Sequence, residues 1–342
     1  MKFAATFTPG MGELVVRQLK RQPLQKLRLT YQEDGLVVGD TTLPAGWLGD
    51  VRFWHNAFVV LEDATQITSV EALSTRITMA SMRRLLECAP VGVHTVQLRT
   101  MDAGQPVTLS GSQRRTIEKL LVSAGLQAAS HRADCELWLL RRASGYGFVG
   151  LRWPRARFKR RPLAPGELRP ELAHLLCLAA GVTGSDVVLD PFTGHGAIPR
   201  ELVAGFSPNQ VIAIEQEPRL LGKLQILAKE KPSLRVLSGD ALHMNEILPD
   251  SISRIVTDPP WGDYARIPGD IEGFYAQMCQ EFARVLKPGG VAVVLTNAKD
   301  ILTATSTQAS LEVVKQYDIL VSGKKASVVK LRKSIVTTEK TQ

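Results

Sequence analysis

Hydrophobic positions along this chain follow two periods, and the place where they change divides it. In the C-terminal half, short apolar runs alternate with stretches of helical spacing. Val187–Asp190, Val211–Glu215, Leu234–Leu237, Arg254–Thr257 and Val291–Thr296 are short and rich in branched residues, as in strands covered on both faces. Helical spacing falls between them near 197–204, 217–230 and 272–286. A further helix begins over Leu168–Ala173, where Pro170 suits a first turn, and it buries Leu172, Leu175, Leu176 and Ala179. Leu311–Val321 and Ala326–Leu331 predict an antiparallel pair closing the sheet, and Leu286–Gly290 a turn before the fifth strand. This β/α alternation predicts an α/β fold with a doubly wound, Rossmann-like sheet over residues 168–342.

The N-terminal half alternates more loosely. Lys2–Phe7 reads as a strand, Thr8–Gly12 as a turn, and Leu14, Val15 and Leu19 share a helical face. Leu27–Tyr31 and Gly35–Val38 read as strands around Glu33-Asp34-Gly35, Arg52–Leu61 as another strand, and Ser69–Leu73 as a helix start. This order suits a ferredoxin-like α+β domain over residues 1–75. A strand at Thr95–Arg99, a helix at Ser112–Ser123, and a hairpin of Glu136–Arg141 with Tyr146–Arg152 predict a second α+β unit over 76–150. Pro162, Pro165 and Gly166 end a linker, 151–167.

Composition narrows the class. A chain of 342 residues, 44% hydrophobic and 22% charged, is ordinary for a soluble protein. Its longest uncharged run, Leu172–Ser185, is too short to span a bilayer, and the opening residues do not read as a secretory signal. Cys88, Cys135, Cys177 and Cys279 form no CxxC and the six histidines are scattered. No disulfide framework and no metal site is therefore expected, and the reducing cytoplasm is the expected location. Charge is uneven: residues 1–170 hold 24 Lys and Arg against 14 Asp and Glu, whereas residues 171–342 hold 18 against 19. That asymmetry suggests a polyanion-binding module joined to a catalytic one. Its densest stretch carries Arg152, Arg155, Arg157, Lys159, Arg160 and Arg161 with Trp153 and Phe158 and no acid, the pattern of an RNA contact.

The candidate chemistry lies where strands end. Asp190-Pro-Phe-Thr-Gly-His-Gly196 follows the first strand, and Gly194 and Gly196 allow a tight turn and close approach of a ligand. It lacks the third glycine of a dinucleotide fingerprint, and Asp190 disfavours a pyrophosphate. A ligand bearing an ammonium and a sulfonium tolerates that acid better. Glu215, ending the second strand, is placed to accept from ribose hydroxyls, and Asp240, after the third, from an adenine amine. S-adenosylmethionine has all of these groups, and Phe192, Thr193, Ala197 and Ala241 complete its expected pocket. His195 is read as structural or as a lid contact. After the fourth strand comes Asp258-Pro-Pro-Trp261. Asp258 offers a carboxylate, Pro259 and Pro260 remove two backbone donors and leave carbonyls free, and Trp261 offers a flat face. Acceptors beside an aromatic plane suit an exocyclic amine on a nucleobase.

The last motif resembles the Asp/Asn-Pro-Pro-aromatic signature of amino-group methyltransferases. The four spaced elements together resemble class I S-adenosylmethionine-dependent methyltransferases, specifically the THUMP-containing branch that acts on guanine amines of tRNA and rRNA. The opening Thr8-Pro-Gly10 and the α/β unit at 76–150 fit that branch in outline. The resemblance implies ferredoxin-like and THUMP domains ahead of the catalytic sheet, structured RNA as substrate, tRNA first, and guanine N2 as the methylated atom. A monomer needing neither metal nor membrane is expected. Adenine-amine methylation of rRNA or DNA goes more usually with Asn where Asp258 stands, and a non-catalytic RNA binder would be expected to lose Asp258 or Gly194. Methylation of a base carbon would need a cysteine within 254–270, where there is none. Sugar-hydroxyl methylation through Asp258 and Lys299 leaves Pro-Pro-Trp without a purpose.

Overall fold

The computed structural model describes residues 1–21, 27–154, 162–261 and 269–335. The chain divides into two compact units. One comprises Met1–Phe7 and Leu19–Arg160, the other Thr8–Gln18 and Arg161–Gln342.

The first unit is built on one sheet of nine strands. They are β1 (Lys2–Thr6), β2 (Leu27–Glu33), β3 (Leu36–Thr41), β4 (Asn56–Ala64), β5 (Thr95–Asp102), β6 (Gln105–Pro106), β7 (Gln127–Ala128), β8 (Cys135–Arg141) and β9 (Gly147–Arg152). Their order is β2-β3-β1-β4-β9-β8-β5-β6, with β7 beside β5. Pairing is antiparallel except where β5 runs parallel to β7 and β8. The β4–β9 ladder, from Phe58 opposite Arg152 to Ala64 opposite Gly147, carries the sheet past residue 75, the expected domain boundary. Aromatic rings fill one face: Tyr31 stacks on Tyr146 with centroids 4.1 Å apart, and Phe58 meets both Phe148 and Trp138 edge-on. The strand expected at Arg52–Leu61 starts later, at Asn56, because Phe53 and Trp54 turn into the core ahead of it. A helix at Met79–Cys88, unanticipated from the sequence, begins with a capping box between Thr78 and Ser81.

The second unit carries β10 (Val187–Asp190), β11 (Gln210–Glu215), β12 (Leu234–Ser238), β13 (Ile252–Thr257), β14 (Leu286–Thr296), β15 (Leu311–Val321) and β16 (Lys324–Lys333). The seven lie in the order β12-β11-β10-β13-β14-β16-β15. The first five are parallel, and β16 and β15 close the sheet antiparallel, as the sequence pattern predicts. The chain steps outward from β10 to β12 and then restarts on the other side at β13. The crevice outside the β10 and β13 carboxyl ends is therefore the switch point where such sheets bind ligands. Helices Pro170–Ala180, Ala197–Gly205, Pro218–Glu230 and Ile271–Val285 fall where helical spacing predicts them. Two details differ. The turn expected at 286–290 lies inside β14, as an excursion in which Ser253 alone opposes Lys287–Gly290, with Gly289 at φ +75°. Lys299–Gln308, read as no element in the sequence, is a helix. No helix among the described residues is long and apolar enough to cross a membrane.

Candidate active site

Four acids arrive at one edge because four adjacent parallel strands end there. Asp190 is the last residue of β10, Glu215 the last of β11, Asp240 follows β12 and Asp258 follows β13. These are the residues singled out in the sequence. Their environments differ sharply.

Asp190 is fully buried. Its Oδ1 accepts from Thr257 Oγ1 at 2.8 Å, and its Oδ2 has no partner among the described residues. Burial pushes its carboxyl up to about 8, against hydrogen bonds from Thr257 and the Phe192 N–H and with help from the nearby Asp258 and Glu215 charges. Such an acid favours its neutral form until a cation approaches, so it fits a positively charged ligand. The turn after it is tightly determined. Thr193 Oγ1 donates to the Asp190 carbonyl at 2.8 Å, Thr193 N–H reaches Ile214 on the neighbouring strand, and Gly196 N–H returns to the Thr193 carbonyl. Gly194 and Gly196 both have positive φ, +51° and +80°. At Gly196 a side chain is excluded twice over, since a Cβ would come within 2.5 Å of Leu224. A Cβ at Gly194 would meet nothing within 4 Å, which leaves room for a ligand at that turn. Phe192 tilts against Phe274 of the Ile271–Val285 helix, with ring centroids 5.7 Å apart, and Ala197 opens the following helix. His195 offers its backbone carbonyl to the Arg200 guanidinium.

Glu215 and Asp240 are the more accessible pair. Glu215 Oε1 accepts from the Glu217 N–H at 2.8 Å, and Asp240 Oδ1 from the Leu242 N–H at 2.9 Å. Each thereby keeps a second oxygen for a hydroxyl or amine, and Ala241, next to Asp240 in the chain, is buried.

Asp258 keeps some exposed surface, yet its carboxyl lies deep enough that burial pushes it up to about 7. Trp261 Nε1 donates to its Oδ1 at 2.9 Å, which opposes that rise and fixes the indole beside the carboxyl. Pro259 is buried, and Pro260 and Trp261 are partly exposed. The indole is partly exposed, and among the described residues no ion pair engages Asp258. Arg155, Arg157, Lys159, Arg160 and Arg161 lie outside the described residues. Arg152 is described and is engaged in the sheet, donating to Glu136 Oε2 at 2.7 Å and to Asn56 Oδ1 at 2.9 Å. Trp153 lies against Gly49, where a Cβ would come within 3.4 Å of its ring. Among the described residues no group of His, Cys, Asp and Glu could hold a metal ion.

Sequence reasoning missed three hydroxyl-bearing residues of this edge. Thr257 holds Asp190, and Tyr275 Oη meets Thr296 Oγ1 at 2.6 Å at the end of β14. Tyr275 lies close enough to Asp258 for that carboxylate to raise its phenol, which burial pushes up to about 12. A threonine ending a buried strand was the available signal for the first; for Tyr275 and Thr296 only the fold brings them near.

Residues 157–326 match the family model described as UPF0020: RMKL-like, methyltransferase domain. A tRNA (guanine(6)-N2)-methyltransferase of Thermus thermophilus is 27% identical over 314 residues, 86% of this chain and 89% of that protein. A tRNA (guanine(10)-N2)-dimethyltransferase of Methanothermobacter thermautotrophicus is 31% identical over 140 residues, 40% of each chain. The crystal structure of TrmN from Thermus thermophilus shares the fold, with a TM-score of 0.72 and 22% identity over 97% of this chain and 99% of that one. With this match beside the strand order, the chain is an S-adenosylmethionine-dependent methyltransferase whose methyltransferase domain falls in residues 157–326.

Proposed function

We propose that the chain methylates the exocyclic N2 amine of guanine in tRNA. One observation carries this reading: a carboxyl that burial raises to about 7 is fixed by an indole at the mouth of the switch-point crevice. The named activities of the two relatives, both on guanine N2 in tRNA, supply the base, the atom and the RNA class.

Asp190, Phe192, Thr193, Gly194, Gly196, Ala197, Glu215, Asp240 and Ala241 would hold the donor. When bound, S-adenosylmethionine supplies a methyl group on a positively charged sulfur. A guanine amine is a weak nucleophile because its lone pair is shared with the ring. Asp258 and the Pro259 carbonyl accept its two N–H groups, which favours pyramidal nitrogen and stabilises the positive charge developing there. Asp258 then takes the proton that the amine must lose, and a carboxyl titrating near neutrality is matched to that task. The Trp261 face holds the base once it has left its stack, a contact worth roughly 1–3 kcal/mol. Most of the acceleration is positioning. In the same reading, Arg155, Arg157, Lys159, Arg160 and Arg161 neutralise tRNA phosphates, Arg152 joins them on leaving Glu136, and residues 76–150 act as a THUMP-like RNA-binding unit behind a ferredoxin-like 1–75. The enzyme acts as a cytoplasmic monomer.

The test is incubation with labelled donor and bulk tRNA, followed by digestion to nucleosides. Label in N2-methylguanosine supports the reading. Label in a methylated adenosine, or none in tRNA, overturns it.

A further inference from the structure

Two features outside the roles above meet at one side chain. Thr257 Oγ1 donates to Asp190 Oδ1 at 2.8 Å, and both residues are 0% exposed. They sit on neighbouring parallel strands, β13 and β10, whose register sets Ile255 opposite Leu189. Thr257 also directly precedes Asp258. One hydroxyl therefore joins the strand that delivers the catalytic acid to the acid that opens the donor's turn.

The Asp190 carboxyl has one oxygen tied and one, Oδ2, without a partner among the described residues. Among the described residues, the titratable groups that face it are Glu215 at the end of β11, Asp258 after β13, and the buried Cys177 thiol from the Pro170–Ala180 helix. None of these is a cation. A buried carboxyl so placed is costly unless a ligand satisfies the open oxygen. Thr257 fixes the tied oxygen from the neighbouring strand, because a β-branched side chain has little freedom at χ1 and its hydroxyl direction follows from the strand; the Phe192 N–H also bonds the carboxyl.

We propose that Thr257 is a positioning residue that clasps Oδ1 of Asp190 and so reserves Oδ2 for the cationic part of the methyl donor. The proposal rests on reading this turn as the donor site. Valine at 257 keeps the shape and removes the side-chain donor to Oδ1, leaving the Phe192 backbone N–H as the remaining hydrogen bond to the carboxyl. Asp190 would then hold its proton to higher pH, since the Thr257 hydrogen bond is the larger of the two, with that of the Phe192 N–H, that draw its carboxyl down.

The measurement is calorimetric affinity for S-adenosylmethionine on the full chain, without RNA, across neutral to alkaline pH. We expect Thr257→Val to weaken binding about tenfold, the loss of one hydrogen bond to a buried ionisable group. The pH at which affinity rises should move upward in Thr257→Val, and Thr257→Ser should restore both affinity and pH profile. In an Asp190→Asn background Thr257→Val should add little, because the clasped group is gone. Thr257→Ala, which removes the hydroxyl and adds no bulk, is the second variant if valine impairs folding. Affinity unchanged in Val and Ala, or an equal loss in Val and Ser with an unmoved pH profile, overturns the proposal. If the wild type binds the donor but leaves guanine unmethylated, the tRNA reading falls and this one stands, because its readout contains no RNA.

Discussion

Each half of this protein contains an indole donating to a carboxylate at 2.9 Å, and the two pairs behave oppositely. In the N-terminal sheet Trp138 donates to Glu136, and in the C-terminal sheet Trp261 donates to Asp258. Burial pushes both acids up. At Glu136 the Trp138 bond and the Arg152 guanidinium more than offset it, and the acid sits below its usual range. Asp258 has, among the described residues, only the indole as a partner and is pushed up to about 7. The contrast extends outward. Glu33 is likewise held low by Ser144, Arg142 and Tyr31 despite burial, while Asp190 rises to about 8. Partnered acids of the first kind hold a sheet surface together. Acids that have no cation beside them among the described residues, at the ends of parallel strands, are poised to receive one, and that difference separates architecture from chemistry.

The comparison can be broken most forcefully at Asp258. Asp258→Ala should lower methyl transfer to tRNA by roughly 10³-fold, the scale of losing a positioned base and a charge stabiliser together. Calorimetric donor affinity should survive; retained turnover would reject the role given to Asp258. Next in size is the basic run. Reversing Arg155, Arg157, Lys159 and Arg160 to Glu should make log affinity for tRNA fall less steeply with log salt, by a slope of about 3, and weaken binding at low salt. Donor affinity should not change, and unaltered tRNA binding would reduce the run to a linker.

A subtler change sharpens the indole contrast. Trp261→Phe keeps a stacking face but removes the N–H that draws the Asp258 carboxyl down, so the rise of turnover with pH should move above about 7. Trp138→Phe should leave turnover and its pH profile where they are. The last effect is on stability. Asp190 moves from an ordinary 3.8 to about 8 on folding and Asp258 to about 7. Between those limits the folded chain keeps protons that the unfolded chain releases, so raising pH through this window costs stability. Urea unfolding of the donor-free protein should show that decline, Asp190→Asn should flatten it, and saturating donor should oppose it.

The catalytic half was largely legible because its signals are local. The five parallel strands emerge within a few residues of their expected limits, since a strand buried on both faces is a short run of apolar residues between turn formers. The exceptions have physical causes. Lys299–Gln308 contains Thr303, Thr305, Ser306 and Thr307, poor helix formers, and is held by burial of Leu302 and by hydroxyls bonding back to carbonyls such as those of Lys299 and Ile301. Thr78 and Ser81 did announce the Met79–Cys88 helix, but a capping box of two hydroxyl residues is a fainter signal than one ending in Glu or Gln. The N-terminal strands were visible singly. Their union was not, because β4 must find β9 across the intervening helices and strands, and no short window of sequence records that partner.

Periodicity and turn chemistry thus determined by themselves which segments would be strands, which acids would stand at their ends, and that two prolines and a tryptophan would follow one of them. Only the tertiary structure decided what those acids are like. A carboxyl's proton affinity depends on what covers it and what stands within a few ångströms, and those neighbours come from distant parts of the chain. The same fold that gave Arg152 to Glu136 left Asp190 with a threonine and an open oxygen.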